Sequence, residues 1–327
     1  MNSAEIFSRR AGMTLAGAAA KSNKPLALAI GVFDGVHLGH RKLLNEVRSI
    51  AAAAGAVPVA LTFDPHPRSV LQPSRPPVLL VDLAERVHLL HNAGMEMCAV
   101  VDFTSTFAAT EPEDFLELLF EQVSDLAAVG VGSNWRFGRN GAGSVELLKE
   151  YARKRNFQLA AVDELEIDNE VVSASTIRRL IAGGKLDKAE KLLGYRYSLV
   201  GTVSNGYGIA GAKLSCPTAN IEPAAGVLPP DGVYSGIVMV DNTSYAAAVN
   251  IGVAPTYGRA ADRRRRIEAH LLDFSGNLYG KRVHLQLGEY LRSEQCFASE
   301  EALKKQIACD VEKIRSWAEK KVNKEVL

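Results

Sequence analysis

Leu26 to His40 reads LALAIGVFDGVHLGH, and this stretch decides the fold. Five apolar residues, Leu26–Ile30, form a run that suits a strand buried on both faces. Gly31, Phe33 and Gly35 follow in a glycine-rich turn, and from Arg41 to Ala54 the apolar residues Leu43, Leu44, Val47, Ile50, Ala51 and Ala54 recur at helical spacing. A strand that passes through such a turn into a helix brings backbone N–H groups and a positive helix end to one place, which suits an anion. His37 and His40, three residues apart, would lie on one side of the first helical turn and donate hydrogen bonds to phosphate oxygens. That chemistry fits a triphosphate and requires no acid–base or metal role. The plain alternative is a surface loop with two solvated histidines.

Working outward, strand-like runs at 57–63, 97–101, 127–131 and 157–162 alternate with helical patterns that include 112–124 and 144–155. Alternation of this kind predicts a parallel sheet covered by helices, with ligands at the C-terminal strand ends. The chain has 327 residues, enough for two domains at about 150 residues each. Its 47% hydrophobic and 23% charged residues are ordinary for a globular protein, and a net charge of +1 gives no overall pull toward nucleic acid or membranes. Cys98, Cys216, Cys296 and Cys309 contain no C-x-x-C pair, which argues against a zinc site and for reduced thiols in a cytoplasmic protein. The N-terminal SRRAGMTLAGAAAK loosely mimics an export signal, but its apolar part is short and Ala-rich, so a ragged or helical arm is expected. No apolar run approaches the roughly 20 residues a membrane span needs.

The texture changes near Tyr195. Segments such as GVYSGIVMV, SYAAAVNIGV and RVHLQLGEYL read as strands between turns and predict a small, mostly antiparallel β-barrel or sandwich. Ser299 is a good N-cap for a final helix with Leu303, Ile307, Val311 and Ile314 as its buried stripe. The expected domains are 1–188 and 189–327. The basic run Asp262 to Arg266 reads as a solvated loop tip, with a flap over an anion second and nucleic-acid binding a distant third.

A second marker is VSASTIRR, Val172 to Arg179. Ser173, Ser175 and Thr176 are hydroxyls at the entry of a short helix, and Arg178 would neutralise a leaving pyrophosphate. Alone, this is equally a Ser/Thr-rich N-cap with a surface arginine. H-x-G-H after the first strand together with S-x-S-x-I-R resembles the nucleotidylyltransferase superfamily. GVFDGVHLGH, LTFDPHPRSVL, VGSNWRFG, VSASTIR, CPTANI, PPDGVYSG, NIGVAPTYG, IEAHLLDF and LYGKRV occur in an order similar to the prokaryotic bifunctional riboflavin kinase/FAD synthetase family, from about Leu26 to Trp317.

That resemblance implies an N-terminal domain that transfers AMP from ATP to FMN, giving FAD and pyrophosphate, with Mg2+ bridging phosphate oxygens. It implies that His37, His40 and Arg178 grip the triphosphate beside Ser173 and Ser175, and that Gly31, Phe33 and Gly35 shape the turn. Asn134 is implied near the transferring phosphates or flavin, and Phe63 and Arg68 as flavin-side residues. For Phe63 core packing is at least as good a reading, Asp64 and His66 fit a loop-organising role, and Trp135 fits a structural one. The C-terminal barrel is implied to phosphorylate riboflavin to FMN, with Thr218 and Asn220 serving Mg2+ and phosphate, Glu268 as the base for the ribityl hydroxyl and Arg292 toward the flavin. Read from patterning alone, Glu268 is a solvent-facing strand residue and Arg292 a surface one.

The resemblance breaks at the barrel's phosphate loop. The family usually reads close to G-R-x-L-G-F-P-T-A-N, but Ala212, Ser215 and Cys216 stand where Arg, Gly and Phe are expected. A charge-assisted hydrogen bond is worth about 1.5–3 kcal/mol, and Lys213 replaces the missing arginine only as a flexible point donor. This departure predicts weakened phosphorylation of riboflavin, and a monofunctional FAD synthetase with a silent flavin-binding barrel is the alternative. A nucleotidylyltransferase for another substrate has no use for PTAN and GVYSG. The expected partners are small molecules, with no nucleic acid and no membrane, and the oligomeric state stays open, a homo-oligomer included.

Overall fold

The structure, a computed structural model, describes residues 13–204, 218–241, 243–253, 265–295 and 297–325. Two compact units emerge: one holds the described residues up to Leu79, Leu83–Thr176 and Leu192–Gly194, and the other holds Leu80–Asp82, Ile177–Lys191 and the chain from Tyr195 on.

In the first unit, β1 (Leu26–Ile30) is the middle strand of a five-stranded sheet and every one of its residues is buried. Its neighbours are β2 (Val57–Asp64), β3 (Met97–Asp102), β4 (Leu126–Gly132) and β5 (Gln158–Val162), in the order β3-β2-β1-β4-β5 and all parallel. The continuous apolar run of β1 reflects this position, because both faces of a central parallel strand are covered.

Helix α2 (Leu38–Ala54) lays Leu43, Leu44, Val47, Ile50 and Ala51 against β1 and β4. It seats closely because Gly130 of β4 lies under Val47, where any Cβ would collide. Gly55 ends it in the left-handed region (φ 63°), its N–H reaching back to the Ala51 and Ala52 carbonyls, and Ala54 is exposed in the last turn.

Ahead of the sheet, α1 (Leu15–Lys21) is capped by Thr14 and buries Leu15 and Ala18 completely. Met13 bridges in parallel to Ala99 beside β3. The described part of the segment expected as a ragged or helical arm, from Met13 on, thus takes the helical form and packs into the core. Cys98 is buried in β3, and burial pushes its thiol up to about 12, which leaves it unreactive.

Further helices are α3 (Pro67–Leu71), α4 (Leu83–Asn92), α5 (Ser105–Ala108), α6 (Pro112–Gln122) and α7 (Val145–Arg155). A two-strand hairpin, β6 (Glu166–Ile167) with β7 (Glu170–Val171), leads to α8 (Ala174–Ala182) and α9 (Leu186–Leu193).

In the second unit, β8 (Ser198–Ser204), β9 (Ala219–Pro223), β10 (Gly232–Val240), β11 (Thr243–Val253), β12 (Arg265–Leu271) and β13 (Arg282–Arg292) close into an antiparallel barrel in the order β10-β11-β12-β9-β8-β13. Closure removes the unpaired edges that a flat sheet would expose. Ile221, Val249, Ile251, Ile267, Ala269, Val283 and Leu285 are all buried on one face of their strands.

The terminal helix α10 (Glu300–Glu325) starts at Ser299, whose hydroxyl accepts from the Ala302 N–H at 3.2 Å. Its most buried positions are Asp310, Ile314 and Trp317, while Leu303, Ile307 and Val311 are half-buried. The expected stripe is thus corrected: an acid enters it because Arg292 meets Asp310 there, and Trp317 enters because Gly288 offers no Cβ beneath its ring.

Candidate active sites

In the first unit the turn after β1 lies at the switch point of the sheet, where chain order reverses between β1 and β4 and a crevice opens at the strand ends. The turn is tightly wound. Phe33 (φ 54°), Gly35 (φ 76°) and Val36 (φ 36°) are all left-handed. For the β-branched Val36 this conformation is an outlier, and strain of about 1–3 kcal/mol per such residue collects where function needs a fixed geometry. Gly31 has no room for a side chain, because a Cβ there would stand 3.0 Å from the Phe33 ring, which is wholly buried.

His37 caps α2. Its Nδ1 accepts from the His40 N–H at 3.3 Å, so the neutral ring carries its proton on Nε2 and keeps a donor there. The two imidazoles stack, with centroids 3.6 Å apart at 17°, and Phe33 meets His40 edge-on at 5.2 Å. Burial lowers the His40 pKa well below its ordinary value, helped by the charges of His37 and Arg86. His40 is therefore neutral near pH 7, and no acidic residue occupies the first turn of α2 to compete with an anion.

Support comes from the next strand. Thr62 donates to the Val32 carbonyl at 2.9 Å, and the fully buried Arg86 of α4 donates to the Phe63 carbonyl at 2.8 Å and to Thr62 at 3.3 Å. Arg86 escaped the sequence reading, though it occupies the helical stripe it shares with Leu89 and Leu90.

The second marker reaches the same place in part. A Cβ on Gly39 would stand 3.2 Å from the Val172 carbonyl, so Ser173 follows a residue in contact with the head of α2. Ser173 is the cap of α8, accepting from the Thr176 N–H at 3.2 Å, while Ser175 is exposed. Arg178 is half-buried, lies in the part of α8 that belongs to the second unit, and engages other groups.

The flavin-side candidates divide. Asn134 is exposed in the turn after β4, and Arg68 is exposed on α3, whose cap is His66 Nδ1. Phe63 is only 7% exposed and packs edge-on against Phe103 at 5.8 Å, so its ring sits in an aromatic core. Trp135 stacks on Phe137 at 4.6 Å, at the border of that core.

In the barrel, register builds the site. Glu268 of β12 pairs with Asn220 of β9 on one side and with Asn250 of β11 on the other. All three are half-buried on the face opposite the packed interior, and Thr218 stands just before β9. Asn250 went unassigned in the sequence; its only signal was the NIG at the end of a strand. Arg292 is held by the terminal helix: Nε and Nη2 both meet Asp310 at 2.9 Å, and Gln306 donates to the same carboxylate. Ala212, Lys213, Ser215 and Cys216 lie outside the described residues, as do residues 262–264 of the basic run. Arg265 of that run is anchored to Asp231 at 2.6 Å and to the Leu228 and Pro229 carbonyls. No group of three or more metal-binding side chains of His, Cys, Asp or Glu occurs among the described residues, and no described helix is long and apolar enough to cross a membrane.

Two family models match the chain: FAD synthetase over residues 19–176 and riboflavin kinase over residues 193–318. The bifunctional riboflavin kinase/FMN adenylyltransferase of Pseudomonas fluorescens is 33% identical, over 88% of this chain and 92% of that protein. The protein of the same name from Escherichia coli K12 is 31% identical, over 86% and 90%. A crystal structure titled a macrolide-efflux protein from Streptococcus pneumoniae superposes with a TM-score of 0.79 at 26% identity, covering 90% of this chain and 95% of that one. With two consecutive family matches and relatives aligned along nearly their whole length, the chain belongs to the bifunctional riboflavin kinase/FMN adenylyltransferase family.

Proposed function

We propose that the chain carries out both steps from riboflavin to FAD: phosphorylation of riboflavin to FMN in the barrel, and transfer of AMP from ATP to FMN in the parallel-sheet unit. The observation that carries the second step is the stacked His37–His40 pair at the head of α2, with His40 held neutral. A phosphate oxygen of FMN attacks the α-phosphorus and pyrophosphate leaves. His37 and His40 hold the polyphosphate by hydrogen bonds together with the α2 N–H groups, and Ser173 and Ser175 lie beside them. Neutral donors suit this step, because they stabilise the shifting negative charge without having to lose a proton. The turn of Gly31, Phe33 and Gly35 fixes their position, Arg68 and Asn134 face the flavin, and Phe63 supports the strand end from the core. Arg178 is assigned to the leaving pyrophosphate.

In the barrel, Glu268 takes the proton of the attacking ribityl hydroxyl. Asn220 stands opposite that carboxylate, and its amide oxygen with the Thr218 hydroxyl two residues earlier is assigned to Mg2+, which prefers hard oxygen ligands and keeps several waters. A cation held there would supply charge neutralisation for the transferring phosphoryl group. The silent-barrel alternative gains no support from relatives named for both activities.

The deciding experiment assays each half-reaction separately on the full chain. Riboflavin with ATP and Mg2+ should yield FMN, and FMN with ATP and Mg2+ should yield FAD and pyrophosphate. Absence of FAD from FMN would overturn the first assignment, and absence of FMN from riboflavin the second.

A further inference from the structure

The NIGVAPTYG motif marks the family, yet its first residue holds a particular position in the barrel. Asn250 lies directly opposite Glu268, as Asn220 does on the other side. In-register partners share a face with Cβ atoms about 4.5–5.5 Å apart. That face is the outer one, since Val249 and Ile251 are wholly buried on the other.

The orientation of the Asn250 amide is fixed. Its Nδ2 donates to Glu294 Oε1 at 2.9 Å, and a carboxylate can only accept. Glu294 can lie this close to β11 because Gly252 has no Cβ to collide with it. The Asn250 Oδ1 is therefore turned away from Glu294, is buried, and receives no hydrogen bond. A buried acceptor left without a hydrogen bond is unfavourable, so the site calls for a donor. Glu294, in contact with the Asn250 amide, disfavours an anionic ligand at this end of the row, and a phosphate oxygen brings no proton to donate. A neutral polyol fits, because its hydroxyls donate and it tolerates that carboxylate.

Building on the kinase reading above, we propose that Asn250 Oδ1 accepts a hydrogen bond from a ribityl hydroxyl of riboflavin other than the one phosphorylated. Asn250 thus orients the chain so that the reacting hydroxyl meets Glu268, and Glu294 is the positioning residue that sets the amide.

The test measures FMN formation by the full chain with riboflavin and with analogues lacking single ribityl hydroxyls, for wild type, Asn250→Ala and Glu294→Gln. Asn250→Ala should raise the KM for riboflavin about tenfold, the factor for a hydrogen bond of about 1.4 kcal/mol, with the KM for ATP, the thermal midpoint and FAD formation from FMN little changed. Glu294→Gln lets the amide turn over and should give a smaller rise in the same KM. One analogue should cost wild type about tenfold and cost Asn250→Ala nothing more. An unchanged KM for riboflavin, equal losses for every analogue in both proteins, or a shift in Mg2+ requirement instead would overturn the proposal while leaving the kinase reading intact. A wild type that forms no FMN would overturn both.

Discussion

The head of α2 and the outer face of the barrel are both read as phosphate-handling sites, but they are assembled by different means. The first comes from one continuous stretch, Gly31 to His40, in which three left-handed residues, a helix start and two stacked rings are set by local sequence. The second comes from strands far apart in the chain, which register alone brings into a row: Asn220, Glu268 and Asn250. A site of the first kind stays rigid through its backbone, whereas one of the second kind depends on every strand being paired correctly. The two should therefore fail independently when side chains are removed.

The sharpest break is expected in the barrel. Glu268→Gln should slow FMN formation by about 10²–10⁴-fold, the usual scale for losing a general base, with FAD formation from FMN unchanged; chromatography of the flavins reads both. The converse, His40→Ala, should slow FAD formation from FMN by about 10²–10³-fold, the scale for losing one donor to developing charge, and spare the kinase step. If either variant impaired both reactions alike, the independence of the two regions would be refuted.

A backbone change sharpens the contrast at smaller cost. Gly35→Ala places a side chain at φ 76° and should destabilise the first unit by about 1–2 kcal/mol while slowing adenylylation, as read by urea unfolding and initial rates. The smallest effect is in pH. His40 is held neutral in the fold but titrates near 6.5 when unfolded. Below about pH 6.5 the unfolded chain binds a proton that the folded chain refuses, so stability is full above that pH and falls as pH drops, by up to about 1.4 kcal/mol per unit, until the lowered folded pKa is crossed. Unfolding of wild type and His40→Gln at pH 7.5 and 5.5 should show wild type losing more on acidification, and equal losses would contradict the buried neutral ring.

The same contrast explains what could be read in advance. β1 was legible to the residue, because a central parallel strand must be apolar throughout. The His37–His40 pair was legible because capping and spacing act within one turn. The β6–β7 hairpin was missed although Asp168 and Asn169, both left-handed, are a fitting turn pair. Its strands are only two residues each, too short to show a period. Arg86, Asn250 and Asp310 were missed for another reason. Each acquires its meaning from a partner distant in sequence: the Phe63 carbonyl, Glu294 and Arg292. Periodicity favoured Val311 as a stripe residue and could not foresee that an ion pair would bury Asp310 beside it.

The most direct measurement is a calorimetric titration of the full chain with a non-hydrolysable ATP analogue and Mg2+, comparing wild type with the His37→Ala/His40→Ala double variant. The account predicts two nucleotide sites in wild type and a single remaining site in the variant, that of the barrel. A variant that still bound two nucleotides with wild-type affinity would contradict the claim that the histidine pair holds the polyphosphate.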